Sequence, residues 1–136
     1  MDLRSRNRNF TRMGKALITS MPELSYIANS DARIVFLSSD LEKERGGKPV
    51  LGQCEKIPEK YKWKVPYDFM ITVFLPNIEH LTRDQIRILL FHELLHVGIE
   101  TDGNEEKYTI LEHDYEEFRE IIDQYGLEWS DACDPA

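Results

Sequence analysis

The chain has 136 residues, 41% hydrophobic and 31% charged, with a formal net charge of −8. That length suits a single domain with one core, and no apolar run approaches the roughly 20 residues that cross a bilayer, so no membrane partner is expected. Cys54 and Cys133 lie far apart and outside any ligand spacing, which argues against a disulfide framework, and no apolar stretch follows the basic start MDLRSRNRNF, so a secretory signal is not expected and a reducing, cytoplasmic setting is.

In chain order, residues 1–20 read as a basic arm and a short helix, and residues 21–136 as the domain proper. The first 15 residues carry Arg4, Arg6, Arg8, Arg12 and Lys15 against Asp2 alone. Residues 1–9 lack periodicity and are expected to be unstructured. A helix over 10–20 is interrupted by Pro22, and 23–28 can form another helical turn. The segment 32–37, ARIVFL, is short, apolar and β-branched and predicts a strand. A charged turn with Gly46-Gly47 at its centre follows over 42–49, and 50–57 returns as a second strand ended by Pro58. The strongest strand signal is FMITVFL, 69–75, closed by Pro76-Asn77. Together these predict an antiparallel meander of about three strands.

The pattern then turns helical. Thr82 and Gln85 form a capping box, Leu81 and Ile86 can staple it, and residues 83–97 follow without a breaker, with Gly98 in the C′ position. A polar loop is expected over 100–107. Asp114 and Glu117 offer a second capping box, with Tyr115, Phe118, Ile122 and Tyr125 on one apolar face and Gly126 after it. From Glu100 onward there are thirteen acidic and two basic residues. A strongly acidic end repels a phosphate backbone, so nucleic acid is not the expected partner.

Residues 92–96 read HELLH. On a helix, i and i+4 share a face, so His92 and His96 can aim two imidazoles at one point and supply two ligands of a tetrahedral zinc site. Glu93 is then placed to hydrogen-bond water at the metal and act as general base. The helix is apolar nearly all round, so it is expected to be buried, with His92, Glu93 and His96 as its inward polar exceptions. A third protein ligand is required. Candidates are His113, just before the second capped helix; Glu116 and Glu117 in its first turn; and Asp102, at the spacing of the HExxHxxGxxH pattern, although Ile99 stands where that pattern has glycine. Glu116 falls on the solvent face and Glu117 is committed to capping, whereas His113 has no competing role. His80 reads as a loop residue. Tyr108 and Tyr115 are candidate oxyanion donors, and the 69–75 strand is a candidate edge for an extended substrate.

The segments LLFHELLHVG (89–98), EHDYEEF (112–118) and YGLEW (125–129), with the strand over 69–75, resemble the phage metallopeptidase family, small zincin domains, over roughly residues 21–129. More distantly the chain is similar to SprT-like domains, although the zinc-ribbon cysteines of those proteins are absent. The resemblance implies zinc held by His92, His96 and His113, with Glu93 as catalytic base. It also implies a minimal zincin-like α+β fold: a small antiparallel or mixed sheet packed on the active-site helix, then a second helix that brings the third ligand. The expected activity is hydrolysis of a peptide or protein substrate. The rivals are a non-catalytic zinc-binding interaction module and a metallohydrolase acting on a non-peptide bond.

Overall fold

The structure, a computed structural model, describes residues 3–112. The expected second capped helix over 114–125, His113, Tyr115, Glu116, Glu117 and Cys133 lie outside the described residues.

The described chain is mixed α+β. Strand β1 (Arg4–Arg6) leads into helix α1 (Arg8–Ser20), whose start is capped by Asn7: its side-chain oxygen accepts from the Phe10 N–H at 3.0 Å. A 3₁₀ turn, Pro22–Leu24, and the one-turn helix α2 (Ser25–Ala28) follow, as Pro22 dictates. Strand β2 (Ile34–Ser39) precedes a small hairpin of β3 (Glu44–Arg45) and β4 (Lys48–Pro49). Gly46 and Gly47 turn that hairpin with φ of 61° and 77°, the left-handed pair that a tight two-residue turn demands. Then come β5 (Gly52–Lys56), β6 (Phe69–Phe74), helix α3 (Arg83–Leu94), and a hairpin of β7 (Val97–Asp102) and β8 (Glu105–Ile110) turned at Gly103.

The main sheet has the order β1-β2-β6-β5, with β1/β2 and β5/β6 antiparallel and β2/β6 parallel. Four expectations are corrected here. The sheet is mixed, not an antiparallel meander. Residues 4–6 of the arginine-rich start are an edge strand, not an unstructured arm, because their backbone pairs with Leu37–Ser39 while the arginine side chains stay wet or stack on rings. The 69–75 strand is central, flanked on both sides, and so offers no edge; its unbroken apolar run is the mark of a strand buried on both faces. The polar segment 100–107 is likewise hairpin rather than loop.

Helices α1 and α3 pack together against one face of the sheet. The core holds Leu17, Phe36, Ile71, Val73, Leu90 and Leu94 among others. Gly14 lets α1 close on β2: a Cβ there would stand 2.2 Å from the Phe36 ring. On the other face Phe74 is fully buried, with the Arg4 guanidinium 6.0 Å and the Lys43 ammonium 5.4 Å from its ring centre. Asp68 satisfies its own burial by accepting from the Arg33 N–H at 2.8 Å and pairing with Lys62 at 3.2 Å. No described helix is long and apolar enough to cross a membrane.

Candidate metal centre and cleft

Helix α3 begins where the capping box places it. Thr82 Oγ1 accepts from the Gln85 N–H at 3.2 Å, and Gln85 Oε1 accepts from the Thr82 N–H at 2.8 Å. It ends earlier than expected. Leu94 is its last residue and Leu95 its C-cap, so His92 sits in the last turn and His96 just beyond it. Gly98 is not a C′ residue; it lies in β7, where a Cβ would meet Thr109 Oγ1 of the paired strand at 2.4 Å. The glycine is needed for close approach across the hairpin, not for a left-handed cap.

The ring pairing expected of HELLH survives this early ending, because the first turn beyond the helix keeps a helical path: the His96 N–H still donates to Glu93 O at 3.1 Å. The two imidazole centroids are 5.0 Å apart with planes at 85°. His96 is held further by β8. Its Nδ1 lies 2.6 Å from Leu111 O, and the Leu111 N–H donates to His96 O at 2.7 Å. A carbonyl oxygen only accepts, so the neutral ring carries its proton on Nδ1 and its lone pair on Nε2. That is the tautomer of a metal-ligating histidine oriented by a backbone carbonyl.

Glu93 is 5% exposed. Burial pushes its carboxyl up to about 8, so without a nearby cation it is largely protonated at neutral pH. Facing it is Gly52 on β5: a Cβ there would stand 3.4 Å from Glu93 Cγ and Oε2 and 3.2 Å from Thr72 O. Cys54 follows on the same face of β5 as a free thiol, its pKa raised by burial and then by the neighbouring Glu93 and Glu55 carboxylates. Sequence reasoning passed over Gly52, and the available signal was a lone glycine inside a predicted strand. It also passed over Tyr26, whose hydroxyl donates to Val97 O at 2.6 Å and so anchors the chain just after His96. Burial pushes that phenol up to about 12.

These groups line a cleft of about 470 Å³ between β5 and the end of α3, bounded also by Ile110 and Glu112 at the end of β8. Edge strand β5, not β6, therefore runs beside His92, Glu93 and His96. Asp102 is not brought to the cleft; it lies exposed at the far end of β7, next to the Gly103 turn, with its carboxylate 4.0 Å from Lys107. Tyr108 is not brought there either: it packs edge-on against Phe69 and donates to Glu106 at 2.7 Å. His80 lies in the turn before α3, as expected. Among the described residues, no group of three or more His, Cys, Asp or Glu side chains is arranged to hold a metal ion.

No curated protein and no solved structure matches the chain. The family described as "Putative phage metallopeptidase" matches residues 4–136, which takes in β1 and α1 as well as the cleft. With HELLH at the end of a buried helix and nearly every residue inside that match, the chain belongs to this metallopeptidase family.

Proposed function

We propose that the protein is a zinc-dependent peptidase with a zincin-like site, in which His92, His96 and His113 hold the metal and Glu93 is the general base. The observation that carries this reading is the locked His96 ring: Leu111 O fixes the Nδ1–H tautomer and leaves the Nε2 lone pair for a metal ion, and the ring centre lies 5.0 Å from that of His92. Two imidazoles from one helix end supply two of the ligands of a zinc site, and the buried Glu93 carboxylate beside them is kept for the water. The third ligand is taken from beyond Glu112, and His113 is the next residue. Glu116 and Glu117 are the alternatives. Asp102 is not, because an extended strand puts it about 17 Å beyond Val97.

Zinc, when bound, makes water acidic near neutrality and polarises a carbonyl. Beside the cation the Glu93 carboxyl ionises, because an adjacent positive charge favours the charged form. Glu93 then takes the proton of the attacking water and passes it to the leaving amine. The backbone of β5, an edge with unpaired groups, lies alongside to align an extended peptide. An open cleft beside a strand edge supports a polypeptide substrate over a small molecule, which a closed pocket would suit. The free Cys54 thiol at the cleft fits work in the cytoplasm.

The test is Glu93→Gln. Zinc stoichiometry should stay near one while hydrolysis of a denatured protein substrate falls by at least about a hundredfold. Full activity in that variant would exclude Glu93 as base. Zinc bound near one per chain by a wild-type protein that hydrolyses no peptide would support the binding-module rival.

A further inference from the structure

Lys56 ends β5, and the connection from there to β6 carries Lys60, Lys62 and Lys64 interleaved with Tyr61 and Trp63. Trp63 is 83% exposed and Tyr61 51%. Exposed aromatic side chains of this size cost solvation unless something covers them, and Trp and Tyr are the usual anchors of polypeptide interfaces.

The loop is rigid by construction. Lys62 turns inward, its ammonium bonded to Glu59 at 2.7 Å and to buried Asp68 at 3.2 Å. It also lies 5.1 Å from the Tyr108 ring centre. Backbone bonds from Tyr61 N–H to Pro58 O, Lys62 N–H to Glu59 O and Val65 N–H to Tyr61 O close the turn. One lysine is thus used to fasten the loop, and Glu59, the one carboxylate between residues 56 and 64, is used by it. Lys56, Lys60 and Lys64 remain exposed, as does Trp63, and the Lys60 ammonium lies 5.1 Å from the Tyr61 ring centre. An exposed aromatic anchor in a hydrogen-bonded loop that also carries exposed cations loses little entropy on binding an anionic chain.

Its position says what that chain is. Lys56 is the last residue of β5, and Gly52, at the other end of the strand, stands against Glu93. Four residues of strand span about 13 Å. A polypeptide aligned on the β5 edge at Glu93 therefore runs directly onto the loop. We propose that residues 57–67 form a docking surface for an acidic segment of the substrate polypeptide, with Trp63 as anchor and Lys56, Lys60 and Lys64 as its cationic rim. The proposal rests on the peptidase reading for naming the docked chain a substrate. Nucleic acid fits less well. A phosphodiester backbone carries its charge at every step, whereas the loop offers three exposed lysines around position 60, enough for a short acidic segment.

The test measures binding and cleavage separately on the full chain. Labelled peptides with an Asp/Glu-rich segment around one Leu or Phe are compared with Asn/Gln versions, an oligothymidylate and anionic phosphatidylserine vesicles, using the Glu93→Gln protein. The acidic peptide should bind about tenfold more tightly than its neutral version, weaken with salt, and lose that advantage in Trp63→Ala and in Lys60→Ala/Lys64→Ala. Zinc-loaded wild-type protein should show the preference in KM, with kcat unchanged. Equal binding of acidic and neutral peptides, an unaltered preference in the variants, or tighter binding of the oligonucleotide or vesicles overturns the proposal. Acidic-peptide binding without hydrolysis of any peptide retains the docking surface and removes the peptidase reading. Hydrolysis without an acidic preference does the reverse.

Discussion

Gly52 lies against Glu93, with the space for its missing Cβ bounded at 3.4 Å by the glutamate's Oε2 and at 3.2 Å by Thr72 O. A methyl group there just fits; a branched side chain does not. Gly52→Ala should therefore keep activity within about threefold, whereas Gly52→Val should lower kcat/KM by at least about tenfold by displacing the carboxylate. Zinc content should be unchanged in both. A fully active Gly52→Val protein would show that Glu93 does not need its present position.

The burial of Glu93 has a consequence for the metal-free protein. Its carboxyl is held up at about 8 against an ordinary 4.5. As pH rises, the unfolded chain releases this proton first, so the folded state loses relative stability. Stability in chelator should be fullest below about pH 4.5 and decline up to about pH 8, after which the folded protein also ionises. Thermal melts from pH 5 to 9 would read this. Glu93→Gln should flatten the slope, and zinc should suppress it by favouring the carboxylate. An identical slope in Glu93→Gln would assign the effect to another group.

Tyr26 ties the strand after His96 to α2 through its 2.6 Å bond to Val97 O. Tyr26→Phe keeps the ring and removes the donor, leaving a buried carbonyl short of a partner. The expected loss is about 1 kcal/mol of stability by urea titration, with weaker zinc retention against a chelator. Unchanged values for both would mean that Val97 O finds water.

Where α1 crosses β2, a Cβ on Gly14 would meet three atoms of the Phe36 ring at 2.2 to 2.9 Å. That ring is buried and has nowhere to go. Gly14→Ala should destabilise by about 1–3 kcal/mol, and adding Phe36→Leu should recover part of it. A neutral Gly14→Ala would mean that the helix can lift from the sheet.

The ligand set can be resolved by single substitutions. His92→Ala, His96→Ala and His113→Ala should each abolish tight zinc binding, measured by competition with a chromogenic chelator. Asp102→Asn should not, because its carboxylate lies at the hairpin tip. Zinc affinity lost in Glu116→Ala or Glu117→Ala and kept in His113→Ala would move the third ligand.

What could be read from the sequence is what local chemistry encodes. The capping box at Thr82 and Gln85, the break at Pro22 and the glycine pair at 46 and 47 all stand where their side chains or dihedrals require. The pairing of His92 with His96 was legible in the i, i+4 spacing, although His96 lies past the end of α3 and owes its ring orientation to Leu111. Strand direction and order could not be read in this way. The parallel register of Ile34 with Phe69 joins residues 35 apart, and nothing within either segment marks its partner. Arg4–Arg6 became a strand through the edge it found on β2, against its own composition. The end of α3 was misplaced because Gly98 serves two different needs equally well, and only the position of Thr109 decides between them. The lone glycine at 52 marks a close approach, but that the approaching group is Glu93 is a product of tertiary packing.

The reciprocal bonds between His96 and Leu111 also bear on how the metal is gathered. They make the next rung of the β7–β8 ladder, beyond Val97 and Ile110. The orientation of the His96 ring is therefore only as secure as the hairpin that carries Leu111. Zinc affinity should accordingly follow the stability of a surface hairpin, and substitutions at its Gly103 turn, far from the ion, should be felt as a faster rate of metal loss.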